Sequence, residues 1–291
     1  MRQMKMFVMR ASALLILATG ICSPSGVWAS AYAVSYDTIS GFTLAFGGGA
    51  GNLSPFTFSV DAALTNYGVD AGLGIMDAPA ACVNCAYNNS FVAHGSATEY
   101  AYGDARIANS NVQGGVGAAR SIGEVSAFNS AGLAFGSNTM TASFVVSGTP
   151  GTASFSFLSS PYMNTTLLPG GMSANANQLM SISINHGSTK VFEWKPDGIL
   201  GDAFGGTETF DPFTLNSGLT GNTLFKPGSG SFAAVTNSLS TGTYTLKITM
   251  ANYVSATSAT VVPIPAAAWL LGSALVPLWA IGRRKKIPAN T

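Results

Sequence analysis

Tyr244-Thr245-Leu246-Lys247-Ile248-Thr249-Met250, YTLKITM, alternates large apolar and polar side chains without a break. A β-strand sends successive side chains to opposite faces, so this period-two run reads as a half-buried strand. Ser240-Thr241-Gly242 supplies the turn before it. The same alternation recurs at Phe56/Phe58/Val60, Phe155/Phe157, Met180/Ile182/Ile184 and Phe192/Trp194, each set separated by Ser, Thr, Asn or charged residues. Tyr100/Tyr102 and Thr139 to Val146 (TMTASFVV) extend the pattern less strictly. Gly, Ser, Asn and Pro clusters lie between the runs, which is turn chemistry. Ala118 to Ala134 is the one stretch with room for a short helix, and Gly123 and Gly132 weaken it. Many short strands with polar turns and no fixed repeat predict an all-β fold, an antiparallel β-sandwich or jelly roll.

The two ends differ in kind from this body. Arg2, Lys5 and Arg10 precede the apolar run Ala11 to Ile21, and Ala29-Ser30-Ala31-Tyr32-Ala33 follows with small residues at alternate positions. That order is a secretory signal peptide, here an N-terminal signal helix over residues 1–33, with signal peptidase cutting after Ala31 or Ala33. Cys22 follows the bulky Ile21, which disfavours a lipoprotein site, and is discarded with the leader. Near the C-terminus, Ala266 to Ile281 carries no charge, and Arg283, Arg284, Lys285 and Lys286 follow it. A helix over those sixteen residues spans about 24 Å, and extension through Gly282 with snorkelling basic side chains approaches the ~30 Å hydrocarbon core. Pro265 sits at the first helical turn, and Pro277 predicts a kink. The basic cluster stops the transmembrane helix on the cytoplasmic side, leaving the body outside.

Val262-Pro263-Ile264-Pro265-Ala266, the apolar segment with Trp269, and the basic cluster stand in a fixed order. Together they resemble the C-terminal sorting signal of exosortase-dependent proteins, in the VPLPA variant of the PEP-CTERM class. Ile264 stands where that variant usually has leucine, and Pro277 and the trailing Ile287 to Thr291 also depart from it. The resemblance covers about the last thirty residues. It implies a Gram-negative host that makes exopolysaccharide and an exosortase that removes the helix. It further implies a route through the inner membrane to the cell surface or biofilm matrix. The order Tyr100–Ala105 (YAYGDA), Thr141–Gly148 (TASFVVSG), Thr152–Tyr162 (TASFSFLSSPY) and Val191–Gly198 (VFEWKPDG) also resembles single-domain exosortase-dependent surface proteins, a group without an assigned activity. The expected layout is a signal peptide to residue 33, an ectodomain over 34–254, a spacer over 255–262, a sorting signal over 262–286 and a tail over 287–291.

Charge narrows the function. Of thirteen basic residues, three precede residue 34 and four follow residue 282. Six remain against twelve acids, so the body carries −6. A sparse acidic body lacks the basic face that nucleic acid or anionic lipid requires. Cys82 and Cys85 form a CxxC in an exported, loop-like context, which favours a small disulfide loop. A thioredoxin-like pair would need a βαβ setting, and zinc would need more ligands than His94 adds.

Site motifs are few. Gly47 to Gly51 (GGGAG) reads as a flexible loop, because Asn52 breaks the GxGxxG spacing. His94 and His186 both precede glycine and read as loop positions, and no GxSxG or HExxH occurs. The chain therefore reads as non-enzymatic, with a secreted hydrolase as the third choice. Asp197, Asp202, Glu208 and Asp211 gather in KPDGILGDAFGGTETFDPF. Carboxylates on a glycine-rich loop suit Ca2+, the one cofactor the residues suggest; a solvated acidic loop is the alternative. Trp194 is the body's only tryptophan and shares a face with Phe192, which favours core packing. The expected function is structural or adhesive within an exopolysaccharide matrix, with signal peptidase and exosortase as processing partners. A carbohydrate-binding module, with or without calcium, is the alternative.

Overall fold

The computed structural model describes residues 30–68, 74–75, 80–83, 100–128 and 130–259. The leader, the sorting motif Val262 to Ala266, the apolar segment, the cluster Arg283 to Lys286, Cys85, His94 and the side chain of Cys82 lie outside them. The chain divides into two units, Met1–Ala259 and Thr260–Thr291. No helix among the described residues is long and apolar enough to cross a membrane.

The described residues are all-β. In chain order the strands are β1 (Ser30–Leu53), β2 (Thr57–Gly68), β3 (Gly74–Ile75), β4 (Ala80–Val83), β5 (Tyr100–Asn109), β6 (Gly117–Phe128) and β7 (Ser130–Ser159). Then follow β8 (Tyr162–Leu167), β9 (Gly171–His186), β10 (Thr189–Trp194), β11 (Gly206–Phe210), β12 (Ser217–Thr220), β13 (Thr223–Phe225), β14 (Gly230–Thr236) and β15 (Gly242–Ser258). Pairing is antiparallel except where β3 and β4 lie parallel to β5. Ala118 to Ala134, where a short helix had room, is β6 and the start of β7.

The YTLKITM run lies in β15, which is paired along both edges. β15 pairs with β7 from Gly242↔Val146 to Thr257↔Ala131, and on its other edge with β9. β2 flanks β7, while β10 and β12 flank β9. β1 organises a second block, pairing with β6 on one edge and with β8 and the later half of β7 on the other. β7 passes between the blocks across the exposed stretch 147–150.

Buried side chains of both blocks change in kind along each strand. β9 presents Ala174 and Ala176, then Gln178, then Met180, Ile182 and Ile184. β15 presents Ala256 and Val254, then Asn252, then Met250, Ile248, Leu246 and Tyr244. β1 runs Ala31, Ala33, Ser35, Asp37, Ile39, all buried. One end is therefore a thin alanine core and the other a thick aromatic one. Phe157 lies at the centre of the thick end, 5.5 Å from Phe42, 5.1 Å from Phe232 and 5.6 Å from Trp194 between ring centroids. Trp194 and Phe192 are fully buried there, as their shared face predicts.

Glycine sets the spacing at the thin end. A Cβ on Gly136 would collide with the Asp104 carbonyl oxygen, and one on Gly123 with that of Ala134. The GGGAG segment behaves the same way. It is not a loop but part of β1, bulged between Gly48 and Ala50, with Gly48 at φ 67°. Cβ atoms on Gly48 and Gly49 would strike the carbonyls of Pro150 and Thr149, so these glycines serve close packing. At the two ends of the folded unit, residues 30–33 belong to β1, with Ala31 and Ala33 wholly buried. β15 runs four residues beyond 254, into the expected spacer.

Two outcomes follow. Gly136→Ala should cost on the order of 3 kcal/mol, since backbone must move to admit a methyl; urea unfolding of the purified protein measures it. Asn252→Ala should cost about 2–4 kcal/mol by stripping partners from Ser35 and Ser121; the same measurement checks it.

Candidate functional site

Between the alanine and aromatic cores runs a row of buried polar groups that ties the blocks together. Asn252 donates from Nδ2 to the Ser121 carbonyl at 3.0 Å and also to Ser121 Oγ. Its Oδ1 accepts from Ser35 Oγ at 2.6 Å. Asn138 donates to the Arg120 carbonyl at 2.7 Å. Asp37 closes the row, accepting from Ser159 Oγ at 2.7 Å and from Gln178 Nε2 at 3.3 Å. Burial pushes the Asp37 carboxyl up to about 6, against the hydrogen bonds from Ser159 and the Thr38 and Ser160 amides, which pull it down. Gln178 Oε1 has no partner; a proton on Asp37 would serve it after an amide flip.

The other face of β1, β5 and β6 buries charge as well. Asp104 lies 2.9 Å from Arg106 Nε and 2.9 Å from Arg120 Nη2. Glu124 accepts from the hydroxyls of Tyr32 at 2.6 Å and Tyr100 at 2.8 Å. Such groups hold register, because losing one partner leaves the other buried and uncompensated.

Three of the four acids between β10 and β12 accept from backbone amides. Asp211 Oδ2 accepts from the Asp197 amide at 2.9 Å, and Asp197 Oδ1 from that of Ile199 at 2.8 Å. Glu208 Oε2 accepts from the Gly201 amide at 2.8 Å. Burial raises Glu208, aided by the neighbouring Asp202 charge, and raises Asp211 to about 6. Among the described residues no group of three or more His, Cys, Asp or Glu side chains is placed to hold a metal ion. Gly198, Gly201 and Gly205 at positive φ permit the turns on which these acids sit. Asp202 also shares a side-chain hydrogen bond with Glu208, and the charges of Asp197 and Asp202 add to the rise of Asp211.

A groove of about 340 Å³ opens on the outward face of the β12–β9–β15 ladder, lined by Asn177, Gln178, Leu179, Asn216, Ser217, Gly218, Ala251 and Tyr253. Strand register places Tyr253 opposite Asn177 on β9 and Phe135 on β7. Tyr253 and Leu179 are 42% and 46% exposed. No residue lining the groove carries charge at neutral pH. Sequence reasoning missed this feature, since Tyr253 is simply the outward residue of an alternating strand. Of the two histidines, His186 ends β9, exposed and stacked 4.9 Å from the Tyr244 ring. Comparison with protein-family models, curated proteins and solved structures gives no match to this chain.

Asp37 gives the interior a pH signature. Its folded pKa stands about two units above the unfolded value of 3.8. Its contribution to stability is therefore complete below about pH 3.8 and lost as pH rises through about 6, a swing of about 3 kcal/mol. Urea unfolding between pH 4 and 7 should show this slope, and Asp37→Asn should remove a one-proton share of it. An unchanged slope in that variant would assign the titration elsewhere.

Proposed function

We propose that this chain is an exported surface protein. Its all-β body folds as a two-layer β-sandwich outside the cell, and an exosortase removes its C-terminal segment. The role is structural or adhesive within an exopolysaccharide matrix, and non-enzymatic. The single observation that supports this most is where the folded unit stops. β15 ends at Ser258, Ala259 still donates to the Gly170 carbonyl, and the proline motif begins three residues later at Val262. A cut beyond that point removes no paired strand residue. Prolines at 263 and 265 favour extended chain, the form a peptidase accepts.

The same reasoning moves the signal cleavage. A cut after Ala31 or Ala33 would remove residues that β6 and β8 pair on both edges. Val27 and Ala29 also offer small residues at alternate positions, and a cut after Ala29 leaves β1 whole. The sandwich reading rests on the facing Ala, polar and aromatic zones of the two blocks and on β7 crossing between them.

Intact mass of the mature protein from its native host, with and without the exosortase, tests the reading. The expected mature chain begins at Ser30 and ends near Pro265 only when the exosortase is present. A chain that keeps Arg283 to Lys286 in both strains would make the C-terminal segment an ordinary anchor.

A further inference from the structure

We infer that the outward groove between β9, β12 and β15 is a binding site for a neutral polysaccharide. This deepens the matrix role proposed above and rests on it only for the identity of the ligand's source.

The argument starts from what lines the groove. Tyr253 and Leu179 provide an exposed ring and an apolar flank, with Ala251 between them on the sheet. Sugars present C–H faces that pack on aromatic and aliphatic surface, and hydroxyls that need donors and acceptors. The polar groups at the groove are free to serve. The Asn177 side chain is exposed and makes no hydrogen bond, and neither does the Tyr253 hydroxyl. Ser217 Oγ is buried without a partner, a state that protein interiors avoid. Asn216, by contrast, is held rigid: its Nδ2 donates to the Pro196 carbonyl at 2.9 Å and its Oδ1 accepts from the Met180 amide at 3.1 Å. It forms a wall rather than a contact. Gly218 keeps the groove open, since a Cβ there would collide with Asn177 Oδ1.

Charge selects the class of ligand. The lining offers no cation for a uronate or phosphate and no carboxylate for a basic ligand. A volume of about 340 Å³ falls at the low end of the ~300–1,000 Å³ of small-ligand pockets, in keeping with part of a chain rather than a whole molecule. The face beyond the groove continues the chemistry. Across neighbouring strands the outward residues pair as Ser59↔Thr139, Thr139↔Thr249 and Thr249↔Ser181, a row of hydroxyls along which an extended glycan can lie, bordered by exposed Lys247 and by Asp61, which accepts from Ser59 Oγ at 2.8 Å.

The test is native affinity electrophoresis of the full chain in detergent, through gels cast with dextran, laminarin or galactomannan, and with alginate as the anionic counterpart. At least one neutral polysaccharide should retard the protein, and alginate should not. Tyr253→Ala and Asn177→Ala should each weaken retardation about tenfold, and Gly218→Val should abolish it by filling the groove. Lys226→Ala, exposed after β13 and outside the groove, should behave as wild type. Circular dichroism and thermal unfolding establish that each variant is folded; Tyr253→Ala and Asn177→Ala alter exposed side chains and keep the test alive if Gly218→Val does not fold. Absence of retardation by all three neutral polysaccharides overturns the proposal, as does retardation by alginate alone or wild-type retardation of folded Tyr253→Ala and Asn177→Ala. Mass of the mature protein decides the sorting reading independently, so the two can fail separately.

Discussion

Asn252 is the side chain on which the two blocks depend. It stands at the middle of β15, where apolar neighbours would be expected, and spends both ends of its amide across the interface. One backbone carbonyl and two hydroxyls are satisfied by one residue. A buried amide so placed favours one register, because a slip of one residue would turn it outward and leave the Ser121 hydroxyl without its partner. The neighbouring bonds of Asn138, Gln178 and Asp37 repeat the restraint on β7, β9 and β1.

That polar row also divides the interior into two regimes. On one side, alanines and glycines let the backbones approach until carbonyl oxygens exclude a methyl group. On the other, stacked Phe, Trp and Tyr rings hold the strands apart. A twisted pair of β faces cannot keep constant separation along its length, and graded side-chain size accommodates the taper. The long strands follow from this, since β1, β7 and β15 each run through both regimes and the polar row between them. Function is displaced outward: a core so committed to internal bonds leaves ligand chemistry to the exposed face of β9 and β15.

The inner face of the body was legible residue by residue. Tyr244, Leu246, Ile248 and Met250 are buried where period two places them, and Met180, Ile182, Ile184, Phe192 and Trp194 likewise. Legibility ended where alternation and residue type parted. GGGAG looked like a loop because glycine is the commonest turn residue, and the same residue is what a close backbone approach requires. The four acids suggested calcium by residue type and spacing, and their bonds to loop amides depend on turns that spacing does not reveal. Asp37 and Asn252 gave no signal of burial, since a polar residue in an alternating strand is normally assigned to water.

Taken alone, the sequence determined the all-β class and the alternating inner faces, because each depends on local period. Tertiary structure decided where glycine means contact rather than freedom, which polar side chains face inward, and where an exposed ring and free amide meet to form a groove. These depend on which strands lie opposite one another, and pairing between residues such as Ser35 and Asn252, 217 positions apart, leaves no trace in any local window of the chain.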